Sequence, residues 1–150
     1  DFRNVDLRDA NLSGTDLSSA NLEGANLEGS DLTEASFRDA NLSGIDLSGR
    51  DLRTGDFSGA DLTGADLSSV DLRNVDMSGT LLINADLSDA ILAGQDLSDS
   101  TLLGANFSST ILEGVRWVAA SPEGKHPRKT YILLMHFYEK CYFWPPDNVF

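Results

Sequence analysis

The chain has 150 residues with 24 acidic and 11 basic side chains, a net charge of −13, and is long enough for one domain with a real core. The charge is uneven: residues 1–120 hold 21 acidic and seven basic residues, net −14, whereas 121–150 are net +1. An acidic surface of this size disfavours nucleic acid and anionic membrane and favours basic partners, cations or plain solubility, and a single cysteine, Cys141, excludes an intrachain disulfide framework.

From Asp1 to about Ala119 a five-residue unit recurs: a small residue, Asp or Asn, Leu or Phe, then two polar or small residues. Ala10-Asn11-Leu12-Ser13-Gly14 and Ala60-Asp61-Leu62-Thr63-Gly64 are clean copies. A period of five fits neither a helix at 3.6 nor an isolated strand at 2. The central apolar residue falls in register at every fifth position from Phe2 to Trp117, 24 consecutive times. One apolar side chain in five cannot build a core within a unit, so the units must stack to bury a shared interior.

This A-[DN]-L-x-x pattern resembles the pentapeptide repeat family over about 80% of the chain. The resemblance implies an all-β fold, a right-handed quadrilateral parallel β-helix with four pentapeptides per 20-residue coil. The central residue and the small residue two before it would point inward. The 24 units then make six coils, a rod roughly 30 Å long at ~4.8 Å per coil. The phase has independent support, because the bulky central residues Phe37, Phe57 and Met77 lie 20 apart. The Asp/Asn position would point outward in acidic ladders: Asp46, Asp66 and Asp86 in one, Asp56, Asp76 and Asp96 in another. These side chains can also bond backbone at the corners, and like charges one rung apart repel.

The pattern breaks in three places. Arg50 and Gln95 occupy inward small positions. A buried unpaired charge is costly, so Arg50 is expected to escape outward at a corner or find a carboxylate such as Asp51 or Asp31, with Gly49 and Gly55 loosening the turn. Outward positions turn apolar late in the array, at Leu81, Ile83, Ile91, Leu103 and Ile111. Leu81, Ile83 and Leu103 share one face, and such a patch calls for cover by the tail or a partner. After Trp117 the repeat ends. Residues 121–129 (SPEGKHPRK) read as a basic loop, and Thr130 as the cap of a short C-terminal α-helix over about 131–142, stopped before Pro145-Pro146. This helix would be apolar nearly all round, through Tyr131, Leu134, Phe137 and Tyr138, with Trp144 following. It is expected to plug the open end of the coil stack or to form a dimer seam.

The domain division is therefore a repeat region, 1–119, and a capping or dimerising tail, 120–150. At the other end Phe2, Leu7 and Leu12 would face an uncapped first coil, so a preceding domain or cap is expected. The chain lacks an initiating Met and opens in mid-pattern, which reads as a fragment or processed product. The single cysteine and the lack of a visible signal peptide favour the cytoplasm. The longest apolar stretch, 131–144, is too short to span a bilayer.

No catalytic constellation emerges. His126 and His136 lie outside the repeats, Cys141 has no activating base assigned by any motif, and no phosphate-binding Gly loop or Cys/His metal spacing exists. Outward Asp side chains on a flat face diverge, so neither a metal site nor a cofactor is expected. The chain reads as a non-enzyme: an acidic scaffold for protein–protein interaction, with a protein partner or a second copy docking near its C-terminal end. The alternative, implied by the family resemblance, is a DNA mimic that acts on DNA gyrase in the manner of fluoroquinolone-resistance members.

Overall fold

The structure is a computed structural model that describes residues 1–116. The loop over 121–129, the helix over 131–142 and the tail residues Tyr131, Leu134, Phe137, Tyr138 and Trp144 lie outside the described residues, as do Trp117, His126, His136 and Cys141.

Within 1–116 the five-residue units make tight turns, closed at nearly every unit by a hydrogen bond from the backbone N–H of the next small residue to the carbonyl of the central residue. Examples are Ala60 N to Phe57 O at 2.9 Å and Ala65 N to Leu62 O at 3.0 Å. The residue two after the central one has positive φ at nearly every unit, from Asn4 (57°) to Gly114 (69°); Asn74 and Asp99 are the exceptions. A closed turn with positive φ at its third residue is the type II geometry, which favours Gly and tolerates Asn, Asp and Ser. The sequence supplies those types at all of these positions but Glu34 and Thr54, which is why it turns every five residues.

Parallel bridges join residues 20 apart, as in Asn21 with Asn41, Asn41 with Asp61 and Asp66 with Asp86. The backbone ladder repeats the same interval: Leu22 N donates to Asn41 O at 2.8 Å, and Asn41 N to Ala20 O at 2.9 Å. A coil is therefore 20 residues and four units. We number its sides by their central residues: the first carries Leu22, Leu42, Leu62 and Leu82, the second Leu27, Leu47, Leu67 and Leu87, the third Leu32, Leu52, Leu72 and Leu92, and the fourth Leu17, Phe37, Phe57, Met77 and Leu97.

These central residues form the core together with the small residues two positions before them; Leu22, Leu42, Leu62 and Leu82 are all fully buried. Burying one such side chain is worth roughly 1.5–3 kcal/mol, and no unit has an interior without its neighbours. The expected aromatic column is present on the fourth side, where Phe37 and Phe57 stack with ring centroids 4.9 Å apart.

Among the described residues every buried side-chain nitrogen or oxygen has a hydrogen-bond partner. Ser30 Oγ donates to Leu27 O, Thr110 Oγ1 to Leu87 O, and the Thr80 and Ser100 hydroxyls both reach Met77 O. Gln95, at its inward position, donates its side-chain amide to Leu72 O. Each accepting carbonyl belongs to a central residue at a turn, where one lone pair is free for a second donor.

Gly55 serves a different purpose from the loosening expected of it. It takes an inward small position, and a Cβ there would sit 3.0 Å from the Phe57 ring and 3.0 Å from Leu52 O. The Phe57 ring occupies the space that an alanine side chain fills in other units, and the glycine makes room for it.

Candidate interaction surface

The outward Asp/Asn position has a local job. At every Asp and Asn of this position from Asp1 to Asn106, Oδ1 accepts the backbone N–H of the residue two further on, at 2.9–3.2 Å. This bond caps the N–H that opens each turn. At several units the serine or arginine at that second residue adds a side-chain bond. Ser48 Oγ donates to Asp46 at 2.7 Å, and Arg8 and Arg53 each make a two-pronged contact with Asp6 and Asp51.

The electrostatics follow. Asp6 and Asp51 are lowered to about 2, first by the arginine side-chain bonds and then by the backbone N–H of the same arginine. Asp16, Asp46, Asp86 and Asp96 are also lowered, first by the hydroxyls of Ser18, Ser48, Ser88 and Ser98 and then by those residues' N–H groups. Much of the acidic character is thus turn chemistry.

Arginines neutralise only part of it. Asp1, Asp6, Asp51 and Asp71 pair with the arginine two residues on, while Asp56 pairs with Arg38 and Asp96 with Arg116 across coils. On the second side, Asp46, Asp66 and Asp86 are joined rung to rung and have no ion pair among the described residues. The two ladders named from the sequence therefore differ: the second side keeps its charge, and the fourth is partly neutralised at Asp56 and Asp96.

Arg50 is the only arginine of the described residues without an ion pair. It is half-buried. Its partial exposure fits an outward escape, and neither Asp51 nor Asp31 forms an ion pair with it, Asp51 being taken by Arg53.

The late apolar positions form two groups rather than one. Leu81 and Leu103 are exposed on the first side, at 37% and 39%, with the half-buried Ile83 below Leu103; Asn84 N donates to Leu103 O, which sets that stacking. Ile111, 50% exposed, sits above Ile91 on the third side, two units away around the coil. Sequence position modulo 20 carries this separation. On the first side, earlier coils place Asn21, Asn41 and Asp61 where Leu81 stands. Leu81 cannot cap its turn as those residues do.

Among the described residues no cluster of three or more His, Cys, Asp or Glu side chains converges as a metal site requires, and no helix is long and apolar enough to cross a membrane.

Comparison with known proteins agrees with this geometry. The family model for pentapeptide repeats matches residues 1–39, 40–79 and 76–114. Among solved structures, alr5209, a pentapeptide repeat protein from Nostoc PCC 7120, is 33% identical over 58% of this chain and 84% of its own, with a TM-score of 0.50. HetL, a pentapeptide repeat protein involved in heterocyst differentiation regulation from the cyanobacterium Nostoc sp. strain PCC 7120, is 32% identical over 76% of this chain, with a TM-score of 0.49. The chain spans 60% of the length of HetL. A trypsin-treated variant of QnrB1, a plasmid-mediated fluoroquinolone resistance protein, is 18% identical over 87% of this chain and 82% of its own, with a TM-score of 0.41. No curated protein gives a match. With the 20-residue ladder, the family match makes the fold a right-handed β-helix.

Proposed function

Because the chain belongs to the pentapeptide repeat family, we propose that it is a non-catalytic β-helical scaffold that docks a protein partner through its C-terminal coils. In full the rod has six square coils of four pentapeptides, and residues 120–150 cap its end with an apolar helix able to pair two rods. The scaffold acts in the cytoplasm.

The observation that carries this reading is the change on the first side. Through Asp61 that side offers Asp or Asn, which cap their turns; at Leu81 the cap is given up and an exposed apolar side chain stands in its place. Local structure gains nothing from the exchange, since exposed leucine adds no hydrogen bond and little burial. A partner surface that covers Leu81, Ile83 and Leu103 would recover it.

The test is a pull-down from native extract with the full chain, followed by the double variant Leu81→Asp, Leu103→Asp. The variant should keep its melting temperature and bind the captured partner about tenfold or more weakly, as expected for removal of central apolar anchors. Sedimentation as a lone monomer with no captured protein would sink the scaffold reading.

A second reading, a DNA mimic acting on DNA gyrase, draws on the unpaired carboxylate ladder of Asp46, Asp66 and Asp86. It predicts loss of any gyrase effect in the triple variant Asp46→Asn, Asp66→Asn, Asp86→Asn, with the Leu81/Leu103 variant unaffected. A supercoiling assay with no inhibition or protection at micromolar protein would remove it.

A further inference from the structure

We infer that the rod carries a built-in hinge between its second and third coils, where Arg50 weakens the backbone ladder. Between residues 21–40 and 41–60 the ladder survives on only two adjacent sides. Asn21 is bridged to Asn41 on the first side and Ser36 to Asp56 on the fourth. On the second and third sides the corresponding bridges, Asn26 with Asp46 and Asp31 with Asp51, are missing. The backbone N–H groups of Leu27, Leu32, Asp46 and Asp51 make no bond across the coils there. The equivalent N–H groups bond across at most other rungs; the rung from Asp76 to Asp96 on the fourth side is also missing, but among the described residues only this seam has two adjacent sides parted. Coils joined along one half of their perimeter and parted along the other can rotate about the joined half.

The cause is the side chain at the parted corner. Arg50 stands in an inward column between Ser30 below and Val70 above, a position filled at the same corner in other coils by Ala10, Ala90 and Thr110. A three-methylene stem and a guanidinium exceed the volume of that slot. The charged end makes no ion pair, although Asp46 feels its charge, and it must reach water, so the chain around it shifts outward. Asp71 N also loses its bond to Arg50 O on the coil above, and Leu52 N its bond to Asp71 O. The joined edge is stretched as well: Asp56 N to Ala35 O is 3.3 Å. The interior remains shut, with Leu27, Leu32, Leu47 and Leu52 almost fully buried, so the hinge rests closed and opening it exposes these four side chains. Regions with few backbone bonds between them open first. The hinge lets the first two coils swing against the rest, whatever partner the rod engages.

Amide hydrogen exchange followed by NMR on the full chain tests the parted ladder. Leu27, Leu32, Asp46 and Asp51 should exchange about tenfold or more faster than Leu22, Phe37 and Asn41 in the same coils. Arg50→Ala should slow them to the rate of those neighbours, while Arg50→Lys, which keeps length and charge, should leave them fast. Swinging is read separately, in a Cys141→Ser background, from the spin-label distance between Ser18→Cys and Ser98→Cys, which flank the seam on the fourth side. The distribution should be broad with Arg50 present and narrow in Arg50→Ala. Uniform protection across these amides, or unchanged fast exchange in Arg50→Ala, overturns the inference. Equal distance widths in the two proteins overturn the hinge whatever the exchange rates.

Discussion

Replacing Phe57 with alanine should cost about 3–5 kcal/mol of stability, read as a fall in the urea midpoint. Phe57 is 1% exposed and stacks on Phe37 at 4.9 Å. The site has little freedom to collapse around the void, because the coil wall is pinned on both sides of the ring: Phe57 N donates to Asp76 O at 2.8 Å, and Ala60 N closes the turn onto Phe57 O. Leu12→Ala, at a half-buried position of the first coil, should cost under about 2 kcal/mol, since less surface returns to water. Equal losses at the two sites would contradict a core made continuous by stacking. The ring also has a coupling that single substitutions hide. Gly55→Ala alone brings a Cβ to 3.0 Å from the ring and should destabilise. In Phe57→Ala that ring is gone, so the double variant should lose less than the sum of the two. Repeat arrays unfold from their ends, so the midpoint shift needs a slope check before conversion to free energy.

The period of five was enough to place the core, because register alone decides which residues stack 20 apart. Phe37 over Phe57 follows from it directly. The contents of the corners were less legible. That Arg50 cannot stay inside follows from charge; that it parts two sides of a coil from the next depends on the volumes of Ser30 and Val70 and on Arg53 claiming Asp51, none of which a repeat pattern expresses. Gly55 illustrates the same limit: its reason is a ring two residues away. The outward Asp position looked like an electrostatic surface, and its larger role as turn cap appears only when the N–H two residues on is located. The apolar surface was half legible. Leu81, Ile83 and Leu103 fall together by counting, and Ile111 separates from them by the same count, but no feature of the sequence identifies what covers them.

The turn caps should make this protein sensitive to acid. Each capping aspartate whose folded-state pKa is depressed contributes stability that is fully present above its unfolded value near 3.9. That contribution is lost as pH falls through the folded value, about 2 for Asp6 and Asp51. Protonation therefore weakens the caps of many turns, which lose a charged acceptor, over one window, roughly pH 4 down to 2, and in a stacked rod weakened turns add along the array. An opposing effect acts above that window. At neutral pH the net charge of −13 repels itself, so the first protons taken up, and added salt, should stabilise. Melting in about 1 M NaCl, where the Debye length is ~3 Å, suppresses this repulsion and isolates the caps. The melting temperature should then be flat from neutral pH down to about 5 and fall steeply below 4. Asn11, Asn21, Asn26, Asn41 and Asn106 already make the same bond to the same N–H without titrating. The triple variant Asp16→Asn, Asp46→Asn, Asp86→Asn should therefore fold normally at pH 7 and lose less on acidification than the parent. If its acid profile superimposes on the parent's, the carboxylate caps are not what acid removes, and the rod's acid sensitivity has another origin.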